Sequence, residues 1–380
     1  MDARRSGLKA WPVFAILFIQ VILLLGHWMV YSTWVAFWPW LPHAAKTDLR
    51  IAMFVLSFTF VVAALLAFRF SNPAVRILYN IAAVWLGFLN FFFWAALLVR
   101  LCWIALRLSQ TTTHLSAYRP LLVGIFYALA ALTGIYGLIN ARIFRVRRIC
   151  ILLPNLPTPW RGRRAVLFSD LHLGTINGVH FCQRLVAAAG RLKPDVVFLP
   201  GDLFDGTKGD LDSLIGPLRA LNPPFGLHFS TGNHEEFHDT AEYLEAIMRA
   251  GIRVLANEKV TVDGLQVAGV FYHDSTHIIQ MKAVLDGMHL DPSQASILLN
   301  HAPTRLPIVE QAGFSLQLSG HTHGGQLFPY TFLTRRVFGR FTTGLGRFGK
   351  LQVYTSSGAG TWGPPMRVGT RPEIVLIEFN

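Results

Sequence analysis

Four long apolar runs, Trp11–Tyr31, Ile51–Phe68, Ile77–Val99 and Leu121–Ile139, limit what this chain can become. A helix rises about 1.5 Å per residue, so each run suits the roughly 30 Å of hydrocarbon in a bilayer. Inside that layer backbone N–H and C=O groups need internal partners, which a helix supplies. The runs therefore predict a four-helix transmembrane region. The first is too long for a signal-peptide core and no small-x-small cleavage site follows, so it is read as retained. Trp28, Tyr31, Trp34, Trp38 and Trp40 fall where that helix leaves the membrane, as an interfacial aromatic belt does.

Basic residues set the expected orientation. Arg4, Arg5 and Lys9 precede the first run, and Arg142, Arg145, Arg147, Arg148, Arg161, Arg163 and Arg164 follow the last. The stretch 32–50 holds only Lys46 and Arg50, while 100–120 holds Arg100, Arg107 and Arg119, which softens the contrast. Four spans put both ends on one side, and the bias predicts that side to be the cytoplasm. His27, Gln20, Asn80 and Asn90 lie within the runs without any Asp, Glu, Lys or Arg. That favours helix-to-helix hydrogen bonding, or a place near the interface, over a transport path.

The mean hydropathy of +0.42 comes mostly from residues before 141. A net charge of +13 would suit nucleic acid, but much of it sits at the membrane boundary and no base-stacking or groove-reading motif accompanies it. Nucleic acid is therefore not an expected partner. Cys102, Cys150 and Cys182 are far apart without CxxC spacing, so they read as small apolar residues rather than a disulfide framework or zinc knuckle. The prolines of PNLPTP (154–159) cannot continue a helix or sheet interior. The expected organisation is an anchor at 1–141, a basic and proline-rich linker at 142–160 and a second domain at 161–380.

In that second domain the rhythm changes to short apolar runs ending in polar residues. AVLF (165–168) leads into SDLHLG, VVFLP (196–200) into GDLFDG, and GLHFS (226–230) into TGNHEE. SILL (296–299) leads into NHAP, and SLQLS (315–319) into GHTHGG. Such runs read as buried strands. Val179–Leu192 has helical spacing, which makes a strand–helix–strand unit with the first two. The segments 259–270 and 373–379 read as further strands, the former a hairpin around Asp263-Gly264.

In α/β sheets ligands gather outside the carboxyl ends of strands. Five such ends here carry Asp, Asn or His: Asp170 and His172, Asp202, Asn233, His301, and His321 with His323. Alternate residues of an extended chain point the same way, so His321 and His323 can reach one centre. The neighbouring glycines allow sharp turns or close approach. Carboxylate, amide and imidazole together suit a first-row divalent metal, and seven ligands exceed what one ion takes from a protein. Two cations sharing a carboxylate use them all, the arrangement that clamps an in-line displacement at phosphorus.

The ordered set D-x-H, G-D-x-x-D, G-N-H-E, H and G-H-T-H resembles the calcineurin-like metallophosphoesterase superfamily across essentially all of 160–380. LANEKVTVDGLQVAGV and LSGHTHGGQLFP are similar to its membrane-associated bacterial branch, which includes enzymes resembling UDP-2,3-diacylglucosamine hydrolase. The resemblance implies an α/β fold, an αββα sandwich after the transmembrane region. It implies that Asp170, His172 and His323 hold one metal and Asn233, His301 and His321 the other, with Asp202 bridging. The cofactors would be two divalent ions, manganese in the first instance, with iron or zinc as alternatives. His234 would be the catalytic residue that stabilises or protonates the leaving oxygen rather than a ligand. Glu235 stands where Asp is also common in the family. Asp205 reads as a turn or supporting residue, Asp274 as a weak further candidate, and histidines 180, 228, 238, 273, 277 and 289 as surface or packing residues. Localisation would be a bacterial inner or plasma membrane, multi-pass.

The segment Leu327–Lys350 mixes Phe328, Tyr330, Phe332, Phe338 and Phe341 with Arg335, Arg336, Arg340, Arg347 and Lys350. That composition suits an amphiphile with an anionic head or docking onto anionic lipid, and equally a packed face beside a solvated one. The leading expectation is a membrane-anchored phosphoester hydrolase whose partners are the lipid bilayer and a lipid-linked phosphoester, such as a phospho-glycolipid. The alternatives are an esterase for a soluble nucleotide or phosphoprotein, and a metal-binding sensor without turnover.

Overall fold

The computed structural model describes residues 10–109, 115–237 and 240–380, so Arg4, Arg5, Lys9 and His238 lie outside the described residues. The chain forms two compact units, Met1–Tyr136 and Gly137–Asn380.

The first unit is built from α1 (Ala10–Phe37), α2 (His43–Arg69), α3 (Pro73–Leu108) and the greater part of α4 (Arg119–Asn140). Each is long and apolar enough to cross a membrane. Asn72 caps α3 by accepting the Val75 N–H at 3.0 Å, with Pro73 at the first helical position. Polar residues join the helices. Gln20 donates to the Ser57 carbonyl at 3.0 Å, and the Trp85 indole N–H meets His27 Nε2 at 2.9 Å. Asn80 donates to the Arg76 carbonyl of its own helix at 2.8 Å. Arg100 and Arg107 lie inside α3, because the helix continues nine residues past the apolar run. The Arg100 guanidinium donates to Ser32 and Thr33 of α1, each at 2.7 Å.

The second unit contains two six-stranded sheets. One runs β1 (Arg145–Ile151), β12 (Glu373–Phe379), β2 (Arg164–Leu167), β3 (Val196–Pro200), β4 (Leu227–Ser230), β5 (Arg253–Val254). The other runs β10 (Gly344–Phe348), β11 (Leu351–Thr355), β9 (Leu316–Ser319), β8 (Ser296–Leu299), β7 (Leu265–Gly269), β6 (Glu258–Val262). Strands β2 to β5 are parallel neighbours, as are β7, β8, β9 and β11. Alternation sorts each strand between two cores. Ala165 and Leu167 point with Ile297, Leu299, Leu316 and Leu318 into the space between the sheets. Val166 and Phe168 turn the other way, onto Phe181, Cys182 and Leu185 of α5 (Val179–Gly190). Ala268, Leu298 and Val353 cover the opposite outer face with Met281, Leu285 and Val309. The order of layers is helix, sheet, sheet, helix.

Strands β1, β5, β10 and β11 extend beyond the elements legible in the sequence. The stretch 142–160, read from its prolines and arginines as a linker, opens with β1, which pairs in parallel with β12 over seven positions. It ends at Trp160, which is fully buried between the sheets and donates its indole N–H to the Val262 carbonyl at 2.8 Å. The alternation that marks an ordinary half-buried strand is missing in β1, whose arginines stay exposed while hydrogen bonds hold the backbone. Cys182 is buried as expected, whereas Cys150 lies exposed on β1.

Candidate metal centre

The strands end where the polar side chains begin. Beyond β2 stand Asp170 and His172; beyond β3, Asp202; beyond β4, a single helical turn holding Asn233 and His234. Beyond β8 and β9 of the other sheet stand His301, and His321 with His323. Their donor atoms converge in three overlapping groups, Asp170–His172–His323, His172–Asp202–His234 and Asp202–His301–His321, each within 4.8 Å. His172 Nε2 and His323 Nε2 are 3.0 Å apart, with Asp170 Oδ1 3.5 Å from the latter. Asp202 Oδ2 lies 3.1 Å from His301 Nε2 and 3.7 Å from His172 Nε2. Asn233 Oδ1 reaches His321 Nδ1 at 3.0 Å. Asp202 thus stands between the two histidine groups.

This convergence is held by an unusual backbone. Asp170, His172, Asp202, His321 and His323 all have positive φ, from 45° to 69°. For non-glycine residues that conformation is uncommon and strained by about 1–3 kcal/mol each where it departs from the favoured well. Gly201 at φ 84° also needs the left-handed region, but Gly232 and Gly320 do not. Their requirement is room. A Cβ on Gly232 would overlap the Asp202 carboxylate, and one on Gly320 the Asp170 carboxylate.

Burial sets the protonation of the cluster. It holds His172 down to about 3 and His321 down to about 4, and with the Arg367 guanidinium it takes His323 well below its ordinary value. Neutral imidazoles are the form that ligates metal. Burial lifts Asp170 to about 6. It would lift Asp202 too, but the adjoining imidazoles, His301 foremost, hold that carboxyl below its usual range. Burial likewise works against a charged His301, yet the Asp202 and Asp170 carboxylates raise it to about 10. Two carboxylates here call for positive charge. His301 Nε2 is buried without an aligned hydrogen-bond partner and faces the Asp202 carboxylate, as His172 Nε2 does at 3.7 Å. Unpaired imidazole nitrogen, carboxylate and amide oxygen facing shared points fit divalent first-row cations.

Supporting residues fix these side chains. His301 Nδ1 lies 2.8 Å from the Pro200 carbonyl, which can only accept, so Nδ1 keeps a proton in either charge state and Nε2 is the nitrogen turned to Asp202. His234 Nδ1 likewise meets the Asp205 carbonyl at 3.1 Å. Its ring stands edge-on to His172, centroids 4.7 Å apart. The buried Glu235 carboxylate accepts from the amides of Asp202, Phe204 and Gly232 at 2.8–3.1 Å. Arg367 is wholly buried. Its Nη2 lies 3.1 Å from His323 Nδ1, and its Nη1 donates to the carbonyls of His323 and Ser357.

The structure therefore brings all seven expected donor residues and His234 together. His234 also falls within reach of His172 and Asp202, so geometry alone leaves it a possible donor as well as a neighbour of the cluster. Asp205 acts through its carbonyl, while its own carboxylate accepts from Thr207 within a turn. Asp274 accepts from Asn257 instead of joining the cluster. His228 is buried against the Phe225 carbonyl, and His180, His273 and His277 sit at exposed positions. Sequence reasoning missed Arg367, for which a lone arginine in a loop gives no signal. It also missed Trp362 and Phe237, 6.1 Å and 5.7 Å from His234, and Tyr272, 5.7 Å from His321, while Phe338, 6.2 Å from His321, is one of the aromatics already picked out in Leu327–Lys350.

The calcineurin-like phosphoesterase family model matches residues 163–325. An uncharacterized metallophosphoesterase of Campylobacter jejuni is 34% identical over 254 residues, 65% of this chain and 66% of that protein. A Danio rerio transmembrane protein with metallophosphoesterase domain is 34% identical over 271 residues, 66% of this chain and 61% of its own length. The matched stretch thus spans just under two thirds of these two relatives. An uncharacterized metallophosphoesterase of Aquifex aeolicus is 32% identical over 261 residues, 66% of this chain and 98% of that protein.

Proposed function

Because the chain belongs to the calcineurin-like phosphoesterase family, we propose that it is a membrane-anchored hydrolase cutting a phosphoester or pyrophosphate bond in a lipid-linked substrate. The preferred class is a phospho-glycolipid, nucleotide-linked or otherwise, of the kind a UDP-diacylglucosamine hydrolase takes. Asp170, His172 and His323 would hold one divalent cation, and Asn233, His301 and His321 a second, with Asp202 facing both; manganese is the first candidate. Such cations, when bound, supply positive charge against a phosphoryl group and acidify water.

The chain's own groups do the rest. Glu235 fixes the turns on either side of the site by accepting from the amides of Asp202, Phe204 and Gly232. His234, with Nδ1–H on the Asp205 carbonyl, would in its imidazolium form carry a second proton on Nε2 and give it to the leaving oxygen as the bond to phosphorus breaks, ending as the neutral ring. The observation that carries the lipid-linked reading is the rim. Trp362 and Phe237, 59% and 66% exposed, flank His234 beside a cluster of carboxylates and imidazoles. Large exposed aromatics next to a polar centre match a substrate that is apolar at one end and anionic at the other. The basic residues after α4 support a cytoplasmic placement at an inner or plasma membrane, which a reporter fused after Asn380 tests.

The deciding experiment assays the purified full chain with manganese in detergent micelles, on matched lipid-linked and water-soluble phosphoesters. The lipid-linked ester is expected to be turned over with the higher kcat/KM, and a Phe237→Ser, Trp362→Ser pair to erase the preference. Equal rates on both would remove the lipid argument and leave a soluble nucleotide or phosphoprotein as the substrate.

A further inference from the structure

A second concavity, about 510 Å³, lies behind the His321–Gly325 loop, and arginines dominate it. Arg145 and Arg147 come from β1, Arg335 from the helix Tyr330–Phe338, and Arg371 from the turn before β12. Among the described residues none of these four guanidiniums has an ion pair or a hydrogen bond. The one carboxylate in the lining, Glu373, is buried and already accepts from the Ser357 amide at 2.7 Å. Thr331 and Thr343 add hydroxyls that make no hydrogen bond among the described residues. None of the seven donor residues of the metal centre, nor His234, lines this pocket; it shares only Gly324 with their loop. Arg147 lies over the Tyr354 ring, 6.0 Å from its centroid, and keeps its N–H groups without a hydrogen-bond acceptor among the described residues. Four guanidiniums with donors to spare against one carboxylate are matched to a phosphate-bearing anion, which arginine forks recognise by geometry as well as charge.

Two observations say where that anion comes from. β1 begins five residues after α4 ends, so Arg145 is tethered within about 17 Å of the end of an apolar helix long enough to span a bilayer. The helix that contributes Arg335 has no buried residue at all. Thr331 and Arg335, four apart, share its pocket side, while Leu333 and Val337 share the other and are 62% and 66% exposed. A short helix with a basic side and a bare apolar side suits the boundary between headgroups and acyl chains.

We propose that this pocket binds the phosphate of an anionic phospholipid headgroup, with Leu333 and Val337 resting in the adjoining acyl region, as a site separate from the metal centre. The proposal rests on the membrane-anchored reading but not on the identity of the substrate.

The test uses the full chain in detergent with chelator present, so that no turnover intervenes. Native mass spectrometry follows binding of dihexanoyl phosphatidylglycerol, dihexanoyl phosphatidylcholine and inorganic phosphate. The anionic lipid is expected to bind most tightly. An Arg335→Ala, Arg371→Ala pair is expected to weaken it by about 30-fold, given the usual contribution of two basic residues to anionic-lipid binding. Leu333→Ser with Val337→Ser should weaken the lipid but not phosphate, and Asp202→Asn should leave lipid binding intact. The proposal is overturned if the arginine pair changes nothing or if Asp202→Asn abolishes binding. It is also overturned if phosphate binds as tightly as the lipid and the serine pair has no effect, since the occupant would then be a free anion.

Discussion

The Glu235 carboxylate accepts the backbone amide of Asp202 at 3.0 Å, inside a site where both residues are almost fully buried. The same carboxylate takes the amides of Phe204 and Gly232, so it ties the turn after β3 to the turn after β4. Glu235→Ala would leave three buried N–H groups unpaired, at about 1–3 kcal/mol each. Thermal unfolding in detergent is expected to show a loss of at least about 3 kcal/mol, together with metal affinity lower by about 10- to 100-fold. An unchanged melting temperature would mean that water replaces the carboxylate.

Asp202 is the carboxylate shared by two of the three donor groups. Asp202→Asn keeps the shape but removes the charge between His301 and His172. The variant is expected to purify with less bound metal than wild type and to hydrolyse an aryl phosphate ester no faster than chelated wild type. Manganese should restore the chelated wild type but not the variant. Full metal content with full turnover in Asp202→Asn would refute the shared-carboxylate assignment.

His234→Ala separates proton donation from metal binding. Turnover is expected to fall by about 10²- to 10⁴-fold while metal content stays at the wild-type level. The loss should be larger for an alkyl ester, whose leaving oxygen needs a proton, than for a nitrophenyl ester, whose oxygen does not. Equal losses on the two would exclude proton donation, and a parallel loss of metal would make His234 a ligand.

Gly232→Ala places a methyl group against the Asp202 carboxylate. Overpacking of this kind costs about 1–3 kcal/mol, and here the atom displaced is also a candidate ligand. Unfolding and metal analysis should both register it. Gly216→Ala, with open space around its Cβ and an ordinary helical φ, should lie within about 0.5 kcal/mol of wild type.

What could be read in advance follows from how local each signal is. The four apolar helices and strands β2, β3, β4, β8, β9 and β12 are each written in one continuous run. The polar residues after five of those strands were legible because a strand end fixes where the next residues stand. β1 and Trp160 were hidden because arginines and prolines dominate that stretch, and only pairing with β12, more than 200 residues later, makes it a strand. β5 has two residues and no pattern to detect. Arg367 was invisible for a different reason: its partners are carbonyls, which every residue has. The Leu327–Lys350 segment carried the right composition, but its division into a bare helix and a hairpin required coordinates.

The last turn of α4 is stitched to the segment that bears Arg367. Arg367 N–H donates to the Gly137 carbonyl at 3.0 Å, and the buried Asn140 amide donates to the carbonyls of Arg367 and Thr370, each at 2.9 Å. Whoever trims this chain to obtain a water-soluble fragment will be drawn to cut just past the greasy stretch, near Ala141. That cut would strip three anchors from the loop whose arginine braces His323, and the fragment would be crippled where it matters most. The fragment that keeps its chemistry starts ahead of Gly137, carrying a stub of the membrane helix with it.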